Sequence, residues 1–426
     1  MLAARALLLS VLLALPASSG PVAVDSDEAT ALAAFARRVR ASGTAIDDAT
    51  TLAPFFAALD RGAEERVNIA FFGNSLIAAD RIVNVVRRRL IEQIGDGGRG
   101  FLLADRLAAY GPRDRTARTA SGWTACTLGD VTPLPAARGV AYGIAGIVHV
   151  ADVAGARSVF SLQPGDAVAT VFGAVARGRG ALQARFDQGP WLDVVTVEGV
   201  DLVDSERTAS VVHRLAIPVG SRTLELKALS AKTVVHGVAV ESERGGVVVD
   251  TFGVPAVDAT LWLGTDPWTI STHLAARDPD LAVIMLGGNE TKRVAWRRRD
   301  VDAVENDLRA LIHRVRDVDD TPCLIIGPID AVVGKDAAEP FRQRPQLEAI
   351  NALHRVVAHD EGCGYLDLFA AMGGRGSLGR FNDAGAVHDD LVHPKGRGLD
   401  VLGHLIAESL FDAWRATPVD VQTVNR

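Results

Sequence analysis

A serine stands in the stretch VNIAFFGNSLIAADRIVNVVRRRL, between an apolar run and a run of helical character. Ser75 is thereby a candidate nucleophile. A serine hydroxyl attacks only with help: a base must take its proton, and an acid must fix the tautomer of that base. Near the other end, HDDLVHPKGRGLDVLGHL offers both, since Asp390 precedes His393 by three positions. On a tight loop the Asp390 carboxylate can turn back to the imidazole Nδ1–H and leave Nε2 facing outward. In LAVIMLGGNET, Asn289 follows an apolar run and two glycines, so its amide could donate to an oxyanion forming at an attacked carbonyl. The chemistry implied is attack by a serine on a carbonyl through an oxyanion. Each piece also has a plainer reading: Ser75 could cap its own helix, His393 before a proline could sit on a surface loop, and Asn289 could close a turn.

The elements that would position these groups follow from texture. VNIAFFG, LAVIMLG, PCLIIGP and CGYLDLF are short, almost continuously apolar runs separated by helix-like stretches such as AVENDLRALIHRVRDV. Such runs belong to strands covered on both faces, as in a parallel α/β sheet. Ser75 then falls at the C-terminal edge of the sheet, where open α/β folds place ligands. Before this pattern, DEATALAAFARRVRASG and DATTLAPFFAALDRG read as helices. Between about 105 and 246 the texture changes to short β-branched runs punctuated by Gly, Asp, Ser and Arg, the mark of a β-sandwich. The α/β pattern is open before this region and resumes after it, so the region reads as an insertion.

Composition bounds the partners. Net charge is −7 and no long basic tract occurs, which argues against nucleic acid. Cys126, Cys323 and Cys363 are too few and too scattered for a metal site or a disulfide framework, and no cofactor is expected. The opening MLAARALLLSVLLALPASSG sets Arg5 before a short apolar run and small residues around Ala17 and Ser19, which reads as a secretory signal over residues 1–20. A membrane span needs about 20 apolar residues, and no later segment qualifies. The expected product is an exported protein, periplasmic or extracellular, with no transmembrane segment.

Together the motifs resemble the SGNH (GDSL) hydrolase family. Gly73-Asn74-Ser75-Leu76 looks like its first block, Gly253 in VVVDTFGVPAVDAT like its second, Gly288-Asn289 like its third, and Asp390-Leu391-Val392-His393 like its fifth. The resemblance implies a flavodoxin-like three-layer α/β fold with catalytic Ser75, Asp390 and His393, and an oxyanion hole of the Ser75 and Gly253 N–H groups with the Asn289 amide. The long β-rich insert is similar to the peptidoglycan O-acetylesterase branch, where a carbohydrate-binding-like sandwich interrupts the hydrolase. The organisation implied is a signal at 1–20, an N-terminal helical segment at 21–64, hydrolase halves at 65–104 and 247–415 flanking the insert at 105–246, and a tail at 416–426. The activity implied is removal of O-acetyl groups from a glycan. A lipid or small-ester esterase, a glycan O-acetyltransferase and a noncatalytic glycan-binding protein are the alternatives. Two departures stand out: the family usually has Asp where this chain has Asn74, and the esterase branch often has His where it has Leu76.

Other residues are weighed beside these. Lys292, Arg293, Arg297, Arg298 and Arg299 could hold an anionic glycan or form a solvated helix entry. Trp191, Trp123, Trp262 and Trp268 could stack on sugars or fill cores. Asp367 could compete for the acid role, and His388 and Asp389 flank the motif. Cys323 and Cys363 begin neighbouring strands and could be joined or free.

Overall fold

The computed structural model describes residues 45–106, 115–130, 139–175, 181–195, 209–316, 320–334 and 337–417. The expected signal, the helical reading of 27–43 and the tail from 418 onward lie outside these residues. The site is carried by a six-stranded mixed sheet. Its spatial order is Ile46–Asp47, Gly364–Leu366, Cys323–Ile326, Leu281–Met285, Arg66–Gly73, Gly246–Gly253. The last five are parallel, and Ile46–Asp47 joins antiparallel to Gly364–Leu366. Ile46–Asp47 is a strand inside a stretch expected to be helical; two residues are too few to write a period into the sequence.

The apolar runs are continuous because both faces of this sheet are covered. On Arg66–Gly73, Val67, Ile69 and Phe71 enter one core, while Ala70 and Phe72 enter another. Fully burying a side chain such as Phe71 or Phe72 is worth about 1.5–3 kcal/mol. The first core takes the inner faces of Arg81–Ile94 and Arg397–Ala416; the second takes those of Pro267–Arg277, Val301–Arg316 and Leu347–Asp360. Cys323 and Cys363 are joined by a disulfide, tying the adjacent outer strands together.

Among the described residues there are two extra antiparallel sheets, consistent with an inserted domain. One orders Leu192–Val195, Leu182–Phe186, Thr223–Ala228, Arg157–Ser161 and Thr119–Ser121; the other orders Ala209–Ala216, Asp166–Val175, Val234–Ser242, Ile147–Ala151 and Trp123–Thr127. They share a third core containing Phe160, Leu224 and Leu226 from one sheet and Val171, Val238 and Val240 from the other. The chain enters these layers early: Gly98–Leu102 pairs with Val234–Ser242, ahead of the position expected from texture. A buried ion cluster joins the layers, with Arg277 bound to Asp250 at 2.7 Å and to Glu241 at 2.6 Å. Burial opposes the Arg277 charge, but the two carboxylates win and hold it firmly protonated.

Numbered along the chain, the five parallel strands lie in the order 2-1-3-4-5. The order reverses beside the first strand, Arg66–Gly73, and ligand crevices form at such switch points. Register makes the site possible: Gly73 pairs with Gly253 on one side and with Met285 on the other. Three strands therefore end level, and the segments leaving them carry Ser75, Val254 onward, and Asn289.

Candidate active site

Ser75 is the first residue of a short helix, Ser75–Ala78, and it does not cap that helix. Asn74 does, its Oδ1 accepting the Leu76 N–H at 3.0 Å. This corrects the capping reading of Ser75 and explains how Asn74 can stand in for Asp: the cap needs a carbonyl-type acceptor, which the amide supplies without charge. The freed Ser75 hydroxyl lies 3.0 Å from His393 Nε2. Beneath the turn, Trp262 is buried and its indole N–H donates to the Gly73 carbonyl at 3.3 Å, so this tryptophan holds the serine turn and is not open to a sugar. Behind it Asp80, which precedes the next helix, is buried against Arg87 at 2.9 Å. Burial raises the Asp80 carboxyl, but the charge and hydrogen bonds of Arg87 outweigh it and keep the group ionised.

The histidine loop is built as a tight hairpin. Val387 and Pro394 bridge antiparallel, the His388 N–H donates to the His393 carbonyl at 2.9 Å, and Leu391 takes φ 54°. Within the loop Asp390 Oδ1 accepts the N–H groups of Val392 at 2.9 Å and His393 at 3.0 Å. Its Oδ2 lies 2.7 Å from His393 Nδ1. An ionised carboxylate only accepts, so Nδ1 carries the proton and Nε2 offers its lone pair to Ser75. Burial pushes Asp390 up, yet the bonds from the His393 ring and the two amides hold it down to about 2.

Asn289 sits in the first turn of Gly288–Ala295, and its amide donates to the Val257 carbonyl at 2.6 Å. That bond uses one of two amide hydrogens and fixes the plane of the group. Glu290 stabilises the same junction: it is buried and accepts the Gly287 N–H at 2.9 Å and the Ala259 N–H at 3.2 Å. Its burial, with the nearby Asp258 charge, pushes its carboxyl up to about 7 against the pull of the backbone bonds. Gly253 ends its strand with no room for a side chain, since a Cβ would collide with the backbone of Ala78. Gly253 itself is not among the residues lining the cavity, whereas Pro255 and Ala256, two and three positions further on, are.

Ser75, Asn289, Asp390 and His393 line one cavity of about 850 Å³. His388 and Asp389 line it too, without a hydrogen bond to the His393 ring. Asp367 is elsewhere, capping Leu368–Ala371 through the Ala370 N–H at 2.8 Å and meeting Arg355 at 3.0 Å. The basic cluster after Asn289 disperses: Arg293 pairs with Asp258, Arg299 with Asp307, and Lys292 alone of the five reaches the cavity. Trp123 is buried, Trp268 is exposed, and Trp191 is stacked by the Lys227 ammonium 3.9 Å and the Arg185 guanidinium 4.4 Å from its ring centre. Sequence reasoning missed Arg344 and Lys395, which also line the cavity; the closeness of Lys395 to His393 was the one available signal. Among the described residues no group of three or more His, Cys, Asp or Glu could hold a metal ion, and no helix is long and apolar enough to cross a membrane.

A second serine–histidine pair gives a contrast. Ser210 Oγ lies 3.0 Å from His273 Nε2, but His273 Nδ1 accepts the Ile144 N–H at 3.2 Å. The proton is therefore on Nε2, and that ring cannot take one from Ser210. Of these two pairs, the one at Ser75 is the one whose hydrogen-bond pattern leaves the histidine nitrogen beside the serine free to accept.

Residues 232–401 match the family described as GDSL-like Lipase/Acylhydrolase. No curated protein matches the chain. A solved structure of a peptidoglycan O-acetylesterase is similar at 19% identity, over 85% of this chain and 97% of that one, with a TM-score of 0.69; at that identity the likeness is one of fold. An acetyl xylan esterase is similar at 18% identity over 39% of this chain and 81% of that one, with a TM-score of 0.29. A GDSL-like lipase from Bacteroides thetaiotaomicron is similar at 16% over 39% and 76%, also with a TM-score of 0.29. The family match falls on the segments that carry Asn289, Asp390 and His393, and the fold is shared along most of the chain, so residues 232–401 are a region of the GDSL-like lipase/acylhydrolase kind.

Proposed function

We propose that the protein is an exported serine esterase that removes O-acetyl groups from a cell-wall or extracellular glycan. The observation that carries this reading is the unbroken chain from Ser75 Oγ to His393 Nε2 at 3.0 Å and from His393 Nδ1 to Asp390 at 2.7 Å, on the wall of a cavity. Ser75 attacks the ester carbonyl as His393 takes its proton, and ionised Asp390 stabilises the imidazolium. The oxyanion is held by the Ser75 N–H, which has no acceptor in the first turn of its helix, by the Gly253 N–H, and by the second amide hydrogen of Asn289. The leaving sugar oxygen takes the proton from His393. Water then attacks the acetyl-serine by the same relay and releases acetate.

The glycan assignment rests on fold likeness to a peptidoglycan O-acetylesterase. We read the architecture as a flavodoxin-like three-layer hydrolase, in two halves about an inserted carbohydrate-binding-like β-sandwich, and the open cavity suits an ester on a bulky sugar. The test compares wild type with Ser75→Ala on p-nitrophenyl acetate, longer-chain esters and O-acetylated glycan, measuring released acid. Activity on acetyl substrates that Ser75→Ala abolishes supports the reading. Equal rates for both proteins would remove the nucleophile, and a preference for long chains would remove the acetyl specificity.

A further inference from the structure

The same cavity contains a cationic group that the acyl-transfer chemistry does not use. Arg344 is 8% exposed, and among the described residues no carboxylate pairs with it. Its Nη1 donates to the Gly288 carbonyl at 2.9 Å and its Nη2 to the Val332 carbonyl at 3.3 Å. Two of five N–H groups are thus spent on neutral acceptors, and the charge itself is uncompensated. Burying a guanidinium without a counter-ion is costly, so its retention in a ligand cavity calls for an anion that arrives with the ligand. Lys292 faces the same space one helical turn beyond Asn289, likewise without a carboxylate partner within the described residues, its ammonium 5.3 Å from the Trp296 ring. The two cations act on each other: burial first, then the Arg344 charge, draws the Lys292 ammonium below its usual range, with Asp390 partly offsetting. Lys395 adds a third cation to the wall.

We propose that Arg344 and Lys292 form a subsite for a carboxylate carried by the acetylated sugar itself, so that the enzyme selects acidic over neutral O-acetyl glycans. The proposal rests on the esterase reading and specifies its substrate class. Asn289 and Lys292 share one helix face, so a sugar whose ester oxygen approaches Asn289 presents a ring substituent to the two cations. A planar guanidinium suits a carboxylate through paired N–H bonds, and the ammonium adds a point charge. A uronic acid and an ether-linked lactate offer the same carboxylate chemistry.

The test uses two matched pairs of acetyl esters that differ in the carboxylate: methyl glycosides of O-acetylated glucuronic acid against glucose, and O-acetylated N-acetylmuramic acid against N-acetylglucosamine. The readout is the ratio of kcat/KM, acid over neutral. Wild type is expected to favour the acid member at least about tenfold in one pair, which also tells the two carboxylate sources apart, and added salt should reduce the ratio. Lys292→Met should lower the ratio at least about fivefold whatever it does to absolute rates, while Arg344→Lys should retain more of it than Arg344→Met. A wild-type ratio of one or less in both pairs, or a ratio unchanged in Lys292→Met and Arg344→Met, would overturn the proposal. A second readout separates it from the esterase assignment: free glucuronate should inhibit p-nitrophenyl acetate hydrolysis more strongly than glucose in wild type but not in Lys292→Met. If no sugar ester is hydrolysed yet this inhibition persists, the subsite stands and the glycan reading falls; if the inhibition is also absent, both fall.

Discussion

Exchanging Asp390 for asparagine should reverse the histidine tautomer while leaving the fold in place. Asp390 Oδ1 accepts two backbone N–H groups, at 2.9 and 3.0 Å, and only an oxygen can occupy that position. An asparagine side chain must therefore turn its NH2 toward His393 Nδ1, which the carboxylate now meets at 2.7 Å. Facing a donor, Nδ1 becomes the acceptor and the ring proton moves to Nε2, the atom 3.0 Å from Ser75 Oγ. The base then has no lone pair where it is needed. The same exchange in a serine–histidine–aspartate triad costs about 10⁴ in kcat, or about 5 kcal/mol of transition-state stabilisation. Both loop-closing bonds survive and the Asp390 side chain is 45% exposed, so the melting temperature should shift by no more than about 2–4 °C, the equivalent of about 1 kcal/mol. The assay is steady-state hydrolysis of p-nitrophenyl acetate beside a thermal melt. An Asp390→Asn protein that melts like wild type and keeps activity within tenfold would refute the tautomer reasoning.

Asn289→Ala should lower kcat by about 10²–10³ with little change in KM, since the lost donor acts on an oxyanion present only after attack; equal losses in both constants would assign Asn289 to substrate binding instead. Stability should fall on acidification from about pH 6.5 to about pH 4. His149, His236 and His354 are buried and held neutral, their rings pushed down to about 4, and His273 well below its usual value. Between those limits the unfolded chain binds protons the folded chain refuses, so stability rises with pH by at most about 3 kcal/mol per ring. Glu290, raised to about 7, works in the opposite direction, as do Asp258 and Asp280, whose carboxyls burial also raises; the buried rings outweigh them, and a melting temperature flat from pH 7 to pH 4 would contradict this balance. Replacing Cys323 and Cys363 by serine opens a loop with a sequence separation of 40, expected to cost about 4 kcal/mol; denaturant unfolding midpoints measure it, and an unchanged midpoint would deny the bond a stabilising role.

Legibility in the sequence followed how local each feature is. The runs within VNIAFFG, LAVIMLG, PCLIIGP and CGYLDLF read as strands because both faces of the parallel sheet are buried and polar residues have no outlet there. Asp390 and His393 are three apart on one turn, so their hydrogen bond could be anticipated from spacing alone. Ser75 and His393 are 318 positions apart, and nothing between them announces contact. Gly98–Leu102 was read with the hydrolase because its partner, Val234–Ser242, lies far along the chain. Capping stayed open as the plainer alternative for Ser75 because serine and asparagine both favour that position; Asn74 takes it, and the serine hydroxyl meets His393 instead. Arg344 was invisible because it binds carbonyl oxygens of remote segments, and a carbonyl oxygen leaves no trace in residue type.

The nucleophile can be observed directly. Rapid quenching of the enzyme with p-nitrophenyl acetate, followed by peptide mass spectrometry, should find an acetyl group on Ser75 that forms and decays no more slowly than turnover and is absent from Ser75→Ala. Acetyl on another residue, or none at all while Ser75→Ala turns over at the wild-type rate, would contradict attack by this serine.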